Sequence, residues 1–329
     1  GGREVFYDGP VAKAIVEASR ELGGVFEMED FADTRCNWVE PIKTEYRGYE
    51  LCEIPPSGQG LTALICLNIL EGYSLSEMSY GSADHYHILI EAMKLSFADR
   101  AKYIADMDHV EVPLDGLLSK EYARGRQGEI DPIKALDHAA GVPLGASDTI
   151  YLTTADKDGN MCSFINSLFH HFGSGVTAGD TGIMLQSRGV GFSLEADHRN
   201  CIAPGKRPFH TIIPGFVMRD GEPWMSYGIM GGDMQPQGHV QVLSNMVDFG
   251  MNIQEAIEAP RFRVLGGLDV AIEYGVPDEV FDELRSRGHD VARGGGYEGF
   301  GSGQGIVRLP EGVYMADSDQ RRDGCAVGF

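Results

Sequence analysis

The sequence lacks several features that would point to membranes or nucleic acid. No apolar run approaches the roughly 18 residues needed to cross a bilayer, so we expect no membrane span. Positive charge is scarce: 27 Lys and Arg face 49 Asp and Glu, and the formal net charge is −22 at pH 7. Such a surface repels phosphate, so we expect no nucleic-acid partner. Internal repeats are absent, and an apolar fraction of 43% is typical of a folded globular protein.

Metal-ligand and disulfide patterns are also missing. The six cysteines include no C-x-x-C pair, and their scatter suits free thiols. This usage favours a reducing, cytoplasmic compartment, although secretion stays open because the sequence starts without methionine. His85 and His87 are two apart on a predicted helix and point to different faces, and His170-His171 has no partner at ligand spacing. We therefore expect no metal and no other cofactor.

The first part of the chain is predicted to be mainly helical. Pro10 is a typical first residue of a helix, and residues 61–70 are apolar nearly all round, which indicates a buried helix. Ser82 can cap a longer helix that reaches about residue 105. Residues 131–146 lack clear periodicity and predict a surface linker.

After that linker the pattern changes to strands. Two strand-like segments, residues 149–155 and 161–168, are joined through Asp158-Gly159, a strong hairpin signal. A second hairpin and a helix follow, over residues 211–218, 223–229 and 236–249. Hairpins pair antiparallel strands, so the chain is predicted to be a mixed α and β protein with antiparallel pairing in its second half.

Asp148-Thr149 lies at the junction between linker and strand. A threonine hydroxyl is a poor nucleophile alone, but a free α-amino group on the same residue can act as its general base. Cleavage before Thr149 would create both groups on one residue. A threonine that opens a strand is usually structural, so this pattern by itself leaves both interpretations open.

Two further features could support acyl transfer. Gly231-Gly232 lies between a strand and a helix, where adjacent backbone N–H groups and the helix dipole can stabilise an oxyanion. A tight turn that requires glycine is the ordinary alternative. Ser167 lies near the end of the strand that pairs with the one starting at Thr149, so its hydroxyl can approach that of Thr149; a surface serine is the alternative. The glycine-rich residues 299–305 lack a preceding strand and a following helix, which argues against a dinucleotide site.

Several short motifs occur in a familiar order along the chain. They are Tyr46-Arg47-Gly48-Tyr49, Pro55-Pro56-Ser57-Gly58, Phe97-Ala98-Asp99-Arg100, Asp148-Thr149, Asp156-Lys157-Asp158-Gly159-Asn160, Phe172-Gly173-Ser174-Gly175-Val176, Pro204-Gly205-Lys206-Arg207-Pro208, Met230-Gly231-Gly232 and Ala259-Pro260-Arg261-Phe262. In this order they resemble the end of the large subunit and then the small subunit of gamma-glutamyltranspeptidases, which are N-terminal-nucleophile hydrolases. The resemblance covers essentially the whole chain.

The resemblance implies an α+β fold, a four-layer αββα sandwich, and a proenzyme that cuts itself between Asp148 and Thr149. Residues 1–148 would be the end of the large-subunit region and residues 149–329 the small-subunit region, together one domain. Thr149 would be nucleophile and base, Ser167 its hydroxyl partner, and the N–H groups of Gly231 and Gly232 the oxyanion hole. Water or an amine would then attack the acyl-enzyme. The two subunits would stay together, and the resemblance allows a homodimer of such heterodimers.

The substrate pocket departs from the family pattern. Gly191 stands where glutathione-cleaving members have an aspartate for the glutamyl ammonium group, and Phe169 stands in place of an asparagine. Arg188 replaces a glutamine, and His210-Thr211 replaces a serine pair, so these residues are expected to bind substrate. They would bring positive charge or hydrogen-bond donors to one wall. The pattern is similar to the acylase-like branch of the family.

Two functional classes therefore remain. The first is a self-processing amidase on a small-molecule amide, with either a γ-glutamyl group or, as in glutaryl-cephalosporin acylases, another dicarboxylic acyl group. The second is a catalytically inactive fragment that never matures. Family members carry a long segment before the part that matches here, including an arginine that binds the substrate carboxylate, so we expect part of the pocket to be missing from this chain.

Overall fold

The structure is a computed structural model that describes residues 2–138, 147–294 and 299–329. The helices are α1 (Arg3–Tyr7), α2 (Pro10–Glu21), α3 (Met28–Ala32), α4 (Gly60–Leu70), α5 (Ala83–Tyr103), α6 (Leu114–Leu117), α7 (Lys120–Gln127), α8 (Met234–Phe249), α9 (Ile253–Glu258) and α10 (Asp278–Ser286). The strands are β1 (Ile42–Tyr46), β2 (Tyr49–Glu53), β3 (Ser147–Ala155), β4 (Met161–His170), β5 (Gly215–Arg219), β6 (Glu222–Met230), β7 (Phe262–Gly266), β8 (Asp269–Ile272), β9 (Asp290–Arg293), β10 (Ser302–Arg308) and β11 (Tyr314–Ser318). The mixture of helices and largely antiparallel sheets is the α+β class that was predicted.

The largest sheet of the described residues has the order β1-β2-β5-β6-β10-β11, and all its neighbours are antiparallel. The β1–β2 hairpin lies in the part that was predicted to be mainly helical, so that prediction missed it. Its turn residues Arg47 and Gly48 have φ of 51° and 86°, the conformation that tight two-residue hairpins require. Because β2 pairs with β5, residues from both sides of Thr149 share one sheet.

The helical layer on this sheet is built around α4 and α8. Every residue of α4 is buried, as its uniformly apolar sequence predicts, and α4 contacts β1, β2, α5 and α8. The hydroxyl of Ser82 accepts a hydrogen bond from the backbone N–H of His85, 3.3 Å away, and so caps α5 as expected. Among the described residues, no helix is long and apolar enough to cross a membrane.

The β3–β4 hairpin packs on the opposite face of the large sheet. Ile229 of β6 faces α8, since a Cβ on Gly238 would lie 2.7 Å from its side chain. The preceding Gly228 faces the ring of Tyr151 on β3, which occupies the space that a Cβ would need. Successive residues of a strand point to opposite faces. Around the large sheet, the described residues therefore form three layers: helices, the sheet itself, and the hairpin. Strands β7, β8 and β9 form a separate three-stranded sheet.

Two predicted boundaries need correction. The helix predicted over residues 236–249 starts at Met234, and the strand predicted over residues 211–218 starts at Gly215. The reason for the later start is that the backbone N–H of Ile213 donates to the side chain of Gln235, 2.9 Å away, instead of to a neighbouring strand. Of the predicted linker, residues 131–138 contain no helix or strand, and residues 139–146 lie outside the described residues.

Candidate active site

The candidate nucleophile lies at an irregularity of the β3–β4 hairpin. Thr149 pairs with Ser167 while Asp148 pairs with Phe169, so β4 contributes one extra residue between the two pairs. Such bulges re-aim side chains and are common beside active sites. The Thr149 hydroxyl donates to the Ser167 hydroxyl across 3.0 Å, and the backbone N–H of Phe169 donates to the same Ser167 oxygen across 2.9 Å. The structure thus brings Thr149 and Ser167 together, as the hairpin pattern predicted.

The packing of β3 on β6 relates the start of β3 to the glycine turn. Thr153 donates through its hydroxyl to Ser226, 2.7 Å away, and Tyr151 covers Gly228. From Thr153 back to Tyr151 on β3, the contacted residue on β6 moves forward from Ser226 to Gly228. Extending this register by one more step, we infer that Thr149 lies opposite Met230, the residue before Gly231-Gly232.

The turn between β6 and α8 needs glycine at both positions. Gly231 and Gly232 have φ of 122° and 60°, and a Cβ on Gly231 would lie 2.9 Å from the Cα of Gly301. Helix α8 begins two residues later, at Met234, so the positive end of its dipole is at the turn. Such a turn can present backbone donors to a developing negative charge.

One wall beside the nucleophile is formed by Arg188. The backbone N–H of Ser187 donates to the carbonyl of Leu168 across 2.9 Å, which holds the following Arg188 against the end of β4. The guanidinium stacks 4.7 Å from the ring centre of Phe169 and donates from Nη1 to the hydroxyl of Thr211, 2.9 Å away. Arg188 therefore contacts both Phe169 and Thr211, which are far apart in the chain, at the end of β4.

The charge of Arg188 has no acidic counterpart in the described part of the chain. No ion pair involves it there, and its buried Nη2 lacks a hydrogen-bond partner among those residues. Burial lowers the pKa of Arg188 to about 10, because its charged form is removed from water. At neutral pH the group is still a cation, and it offers donors to an incoming anion.

His210 and Gly191 complete the comparison with the predicted pocket. His210 is partly exposed at the surface but largely buried, and burial together with the charges of Arg188 and Arg207 lowers its pKa to about 4. It is therefore neutral at pH 7 and supplies a hydrogen-bonding ring, whereas the sequence left open a positive charge. A Cβ on Gly191 would lie 2.5 Å from the carbonyl oxygen of Phe209, so the backbone leaves no space there for a side chain.

A second group of chemically versatile side chains lies away from this site. His87, Glu91 and His289 are buried and close together, a set that sequence spacing missed because His289 is remote in the chain. The ring nitrogens of His87 lie 2.8 Å from His289 Nε2 and 2.7 Å from the carbonyl of Asp131, and the ammonium of Lys94 lies 2.5 Å from the Glu91 carboxylate. The lysine already balances the carboxylate, so the geometry is that of a buried polar network.

Comparisons with known proteins point to a single family. A family model described as gamma-glutamyltranspeptidase matches residues 1–329. The chain is 41% identical to a "glutathione hydrolase-like YwrD proenzyme" of Bacillus subtilis (strain 168), across 100% of this chain and 63% of that protein. It is 33% identical to a "glutathione hydrolase proenzyme" of Escherichia coli (strain K12), across 100% of this chain and 59% of that protein.

A solved structure supports the same relationship. A cephalosporin acylase from Bacillus halodurans superposes with a TM-score of 0.92 at 45% identity, and the match covers 98% of this chain and 59% of that one. The chain thus spans about three fifths of the length of these proteins.

Proposed function

Because this chain belongs to the gamma-glutamyltranspeptidase family, we propose that it is the catalytic part of a self-processing amidase with Thr149 as its nucleophile. The observation that carries the proposal is the 3.0 Å hydrogen bond from the Thr149 hydroxyl to Ser167, at a bulge of the β3–β4 hairpin. The register of β3 on β6 leads toward the Gly231-Gly232 turn. Nucleophile, orienting partner and backbone donors are the parts that acyl transfer needs.

Maturation uses the same hydroxyl as catalysis. The Thr149 oxygen adds to the carbonyl carbon of Asp148, the C–N bond breaks, and the nitrogen takes the proton, which leaves an ester. Water hydrolyses that ester and gives a carboxylate at Asp148 and a free α-amino group at Thr149. The freed amine then acts as the base that activates the hydroxyl.

In turnover, Thr149 attacks the carbonyl of a substrate amide. Ser167 orients the attacking oxygen, and the N–H groups of Gly231 and Gly232 stabilise the negative charge of the tetrahedral intermediate. The leaving amine takes a proton as the C–N bond breaks, which leaves an acyl-enzyme. Water or a second amine then releases the acyl group and restores the hydroxyl.

We propose an acyl group that ends in a carboxylate, such as glutaryl, as the preferred substrate. Its support is the partly buried cation of Arg188, which meets no acidic side chain among the described residues, together with Thr211 and neutral His210 as hydrogen-bonding neighbours. Gly191 supplies no carboxylate for a glutamyl ammonium group. A γ-glutamyl amide stays the second candidate, since two of the relatives carry glutathione hydrolase in their names.

The subunit arrangement is part of the proposal. Residues 1–148 and 149–329 would form one domain and stay associated after cleavage, because β2 and β5 pair across the cut within one sheet. A second helical layer would cover the outer face of the β3–β4 hairpin and complete a four-layer sandwich. That face exposes Ile150, Leu152 and Phe164, with 65%, 45% and 47% of their surface accessible, which is unusual for apolar side chains of a sheet.

The decisive experiment follows maturation in the full-length gene product. We expect two polypeptides on a denaturing gel, the smaller of which starts at Thr149 by N-terminal sequencing. Thr149→Ala should stay a single chain without amidase activity, whereas Thr149→Ser, which keeps a hydroxyl, should still cleave. A wild-type protein that folds but yields no fragment starting at Thr149 would establish the inactive alternative instead.

A further inference from the structure

Gln59 is a fully buried glutamine whose amide bridges two parts of the candidate site. It immediately precedes α4, and its side chain has no solvent exposure. Nε2 donates to the carbonyl of Thr211 and to the carbonyl of Gly232, each 2.8 Å away. Both amide hydrogens are therefore used, one on the pocket wall and one on the glycine turn.

Arg100 determines which way this amide points. Its Nη1 donates to Gln59 Oε1 across 2.7 Å and to the carboxylate of Asp233 across 2.5 Å. Arginine offers only donors, so the oxygen of Gln59 must face it and the nitrogen must face the two carbonyls. The guanidinium also stacks on Phe97 and Phe209, with ring centres 4.4 Å and 5.3 Å away. The amide is thus held in one orientation.

We propose that Gln59 is a positioning residue that couples the acyl-binding wall to the oxyanion turn. The inference rests on the proposed function, because it assumes that the Gly231-Gly232 turn faces the reacting carbonyl. Glycine residues at positive φ restrain the backbone of a turn only weakly, so a contact from outside the turn is needed to fix its conformation. A planar amide between Thr211 and Gly232 supplies one, since it sets the distance between two segments that are 21 residues apart in the chain.

The bridge also connects substrate recognition to catalysis. Arg188 binds the hydroxyl of Thr211, and Gln59 binds the carbonyl of the same residue. A carboxylate that binds Arg188 therefore contacts a wall of the pocket that is hydrogen-bonded, through Thr211 and Gln59, to the glycine turn. The terminal carboxylate of the acyl group should then raise kcat as well as lower KM, which a simple binding contact does not do.

The test compares Gln59→Leu with Gln241→Leu in the full-length protein. Gln241 is a matched control, because its buried amide also donates to two carbonyls, those of Gln237 and Phe262, away from the glycine turn. Rates per matured site are measured with glutaryl-p-nitroanilide and with valeryl-p-nitroanilide, which has a similar chain without the carboxylate. The fraction of matured sites is counted by the smaller polypeptide that starts at Thr149.

We expect Gln59→Leu to lower kcat for the glutaryl substrate about tenfold or more. This loss should be smaller than the roughly 10²–10³-fold loss of rate that removal of an oxyanion donor causes. The kcat advantage of glutaryl over valeryl should shrink, while a KM advantage persists. Gln241→Leu should reduce the thermal midpoint without changing either kcat. If Gln59→Leu does not mature, Arg100→Lys, which loosens the hold on Gln59 Oε1, should show the same loss of kcat in weaker form.

Two results would overturn the inference while the proposed function stands: wild-type kcat in a matured Gln59→Leu enzyme, or an equal fall in kcat for Gln241→Leu. Activity that survives in Thr149→Ala would instead remove the proposed function itself. The two failures are therefore separable.

Discussion

Replacing Arg188 by methionine should weaken the preference for a carboxylate-bearing acyl group while leaving the free energy of unfolding equal or higher. In the free protein the guanidinium is a largely buried cation without an acidic partner among the described residues. Methionine has similar reach and no charge, so it removes the cost of that burial. The same change removes the donors that would bind the carboxylate of the acyl group.

The magnitudes follow from the pKa and from hydrogen bonding to charged groups. Burial lowers the pKa of Arg188 from its ordinary value to about 10. At about 1.4 kcal/mol per unit the cost of keeping the charge would be about 3 kcal/mol, and partial solvent exposure reduces it to about 1–2 kcal/mol. A charged hydrogen bond to the substrate contributes about 1.5–3 kcal/mol, which corresponds to a loss of about 10–150-fold in kcat/KM.

The assay is a competition among glutaryl-, γ-glutamyl- and valeryl-p-nitroanilide on the full-length enzyme. Wild type should prefer glutaryl; in Arg188→Met that preference should disappear while kcat/KM for valeryl stays level or rises, and urea unfolding should show equal or higher stability. Arg188→Lys keeps the charge without the planar fork and should fall between the two. A wild-type preference of tenfold or more for γ-glutamyl, or an unchanged glutaryl preference in Arg188→Met, would refute the reasoning.

Two other predictions concern the glycine turn and acid stability. Gly231→Ala should lower the free energy of unfolding by about 1–3 kcal/mol and slow turnover about 10²–10³-fold, because its Cβ would lie 2.9 Å from the Cα of Gly301 at a φ of 122°. The control is Gly182→Ala, which has a φ of 71° and open space around it and should therefore lose stability but keep its turnover rate. Equal turnover rates in both variants would contradict the assignment of the oxyanion turn. Burial lowers the pKa of His85 and His210 to about 4, so between about pH 6.5 and pH 4 the unfolded chain binds protons that the folded chain does not. Urea titrations should therefore show the free energy of unfolding falling as the pH drops from about 6.5 to about 4. The fall should be up to about 1.4 kcal/mol per pH unit for each histidine. His85→Asn should flatten that slope, and an unchanged slope would show that His85 is not the neutral buried group that the structure indicates.

Local features of the sequence determined the elements that depend on neighbours in the chain. The uniform apolarity of α4, the cap at Ser82 and the Asp158-Gly159 turn each predict their element, because helix burial, capping and tight turns are decided within a few residues. The approach of Ser167 to Thr149 follows from the same hairpin. The family was recognisable for the same reason, since its motifs are short and occur in order.

Only the tertiary structure decided which distant segments meet. The pairing of β2 with β5, the stacking of Arg188 on Phe169 and the bridge from Gln59 to Thr211 and Gly232 join residues that are remote in sequence. Periodicity carries no information about such contacts, because it reports which face of an element is buried and not what covers it. The neutral state of His210 likewise depends on burial by Gly58 and on the nearby cations, and the residue type alone left its charge open.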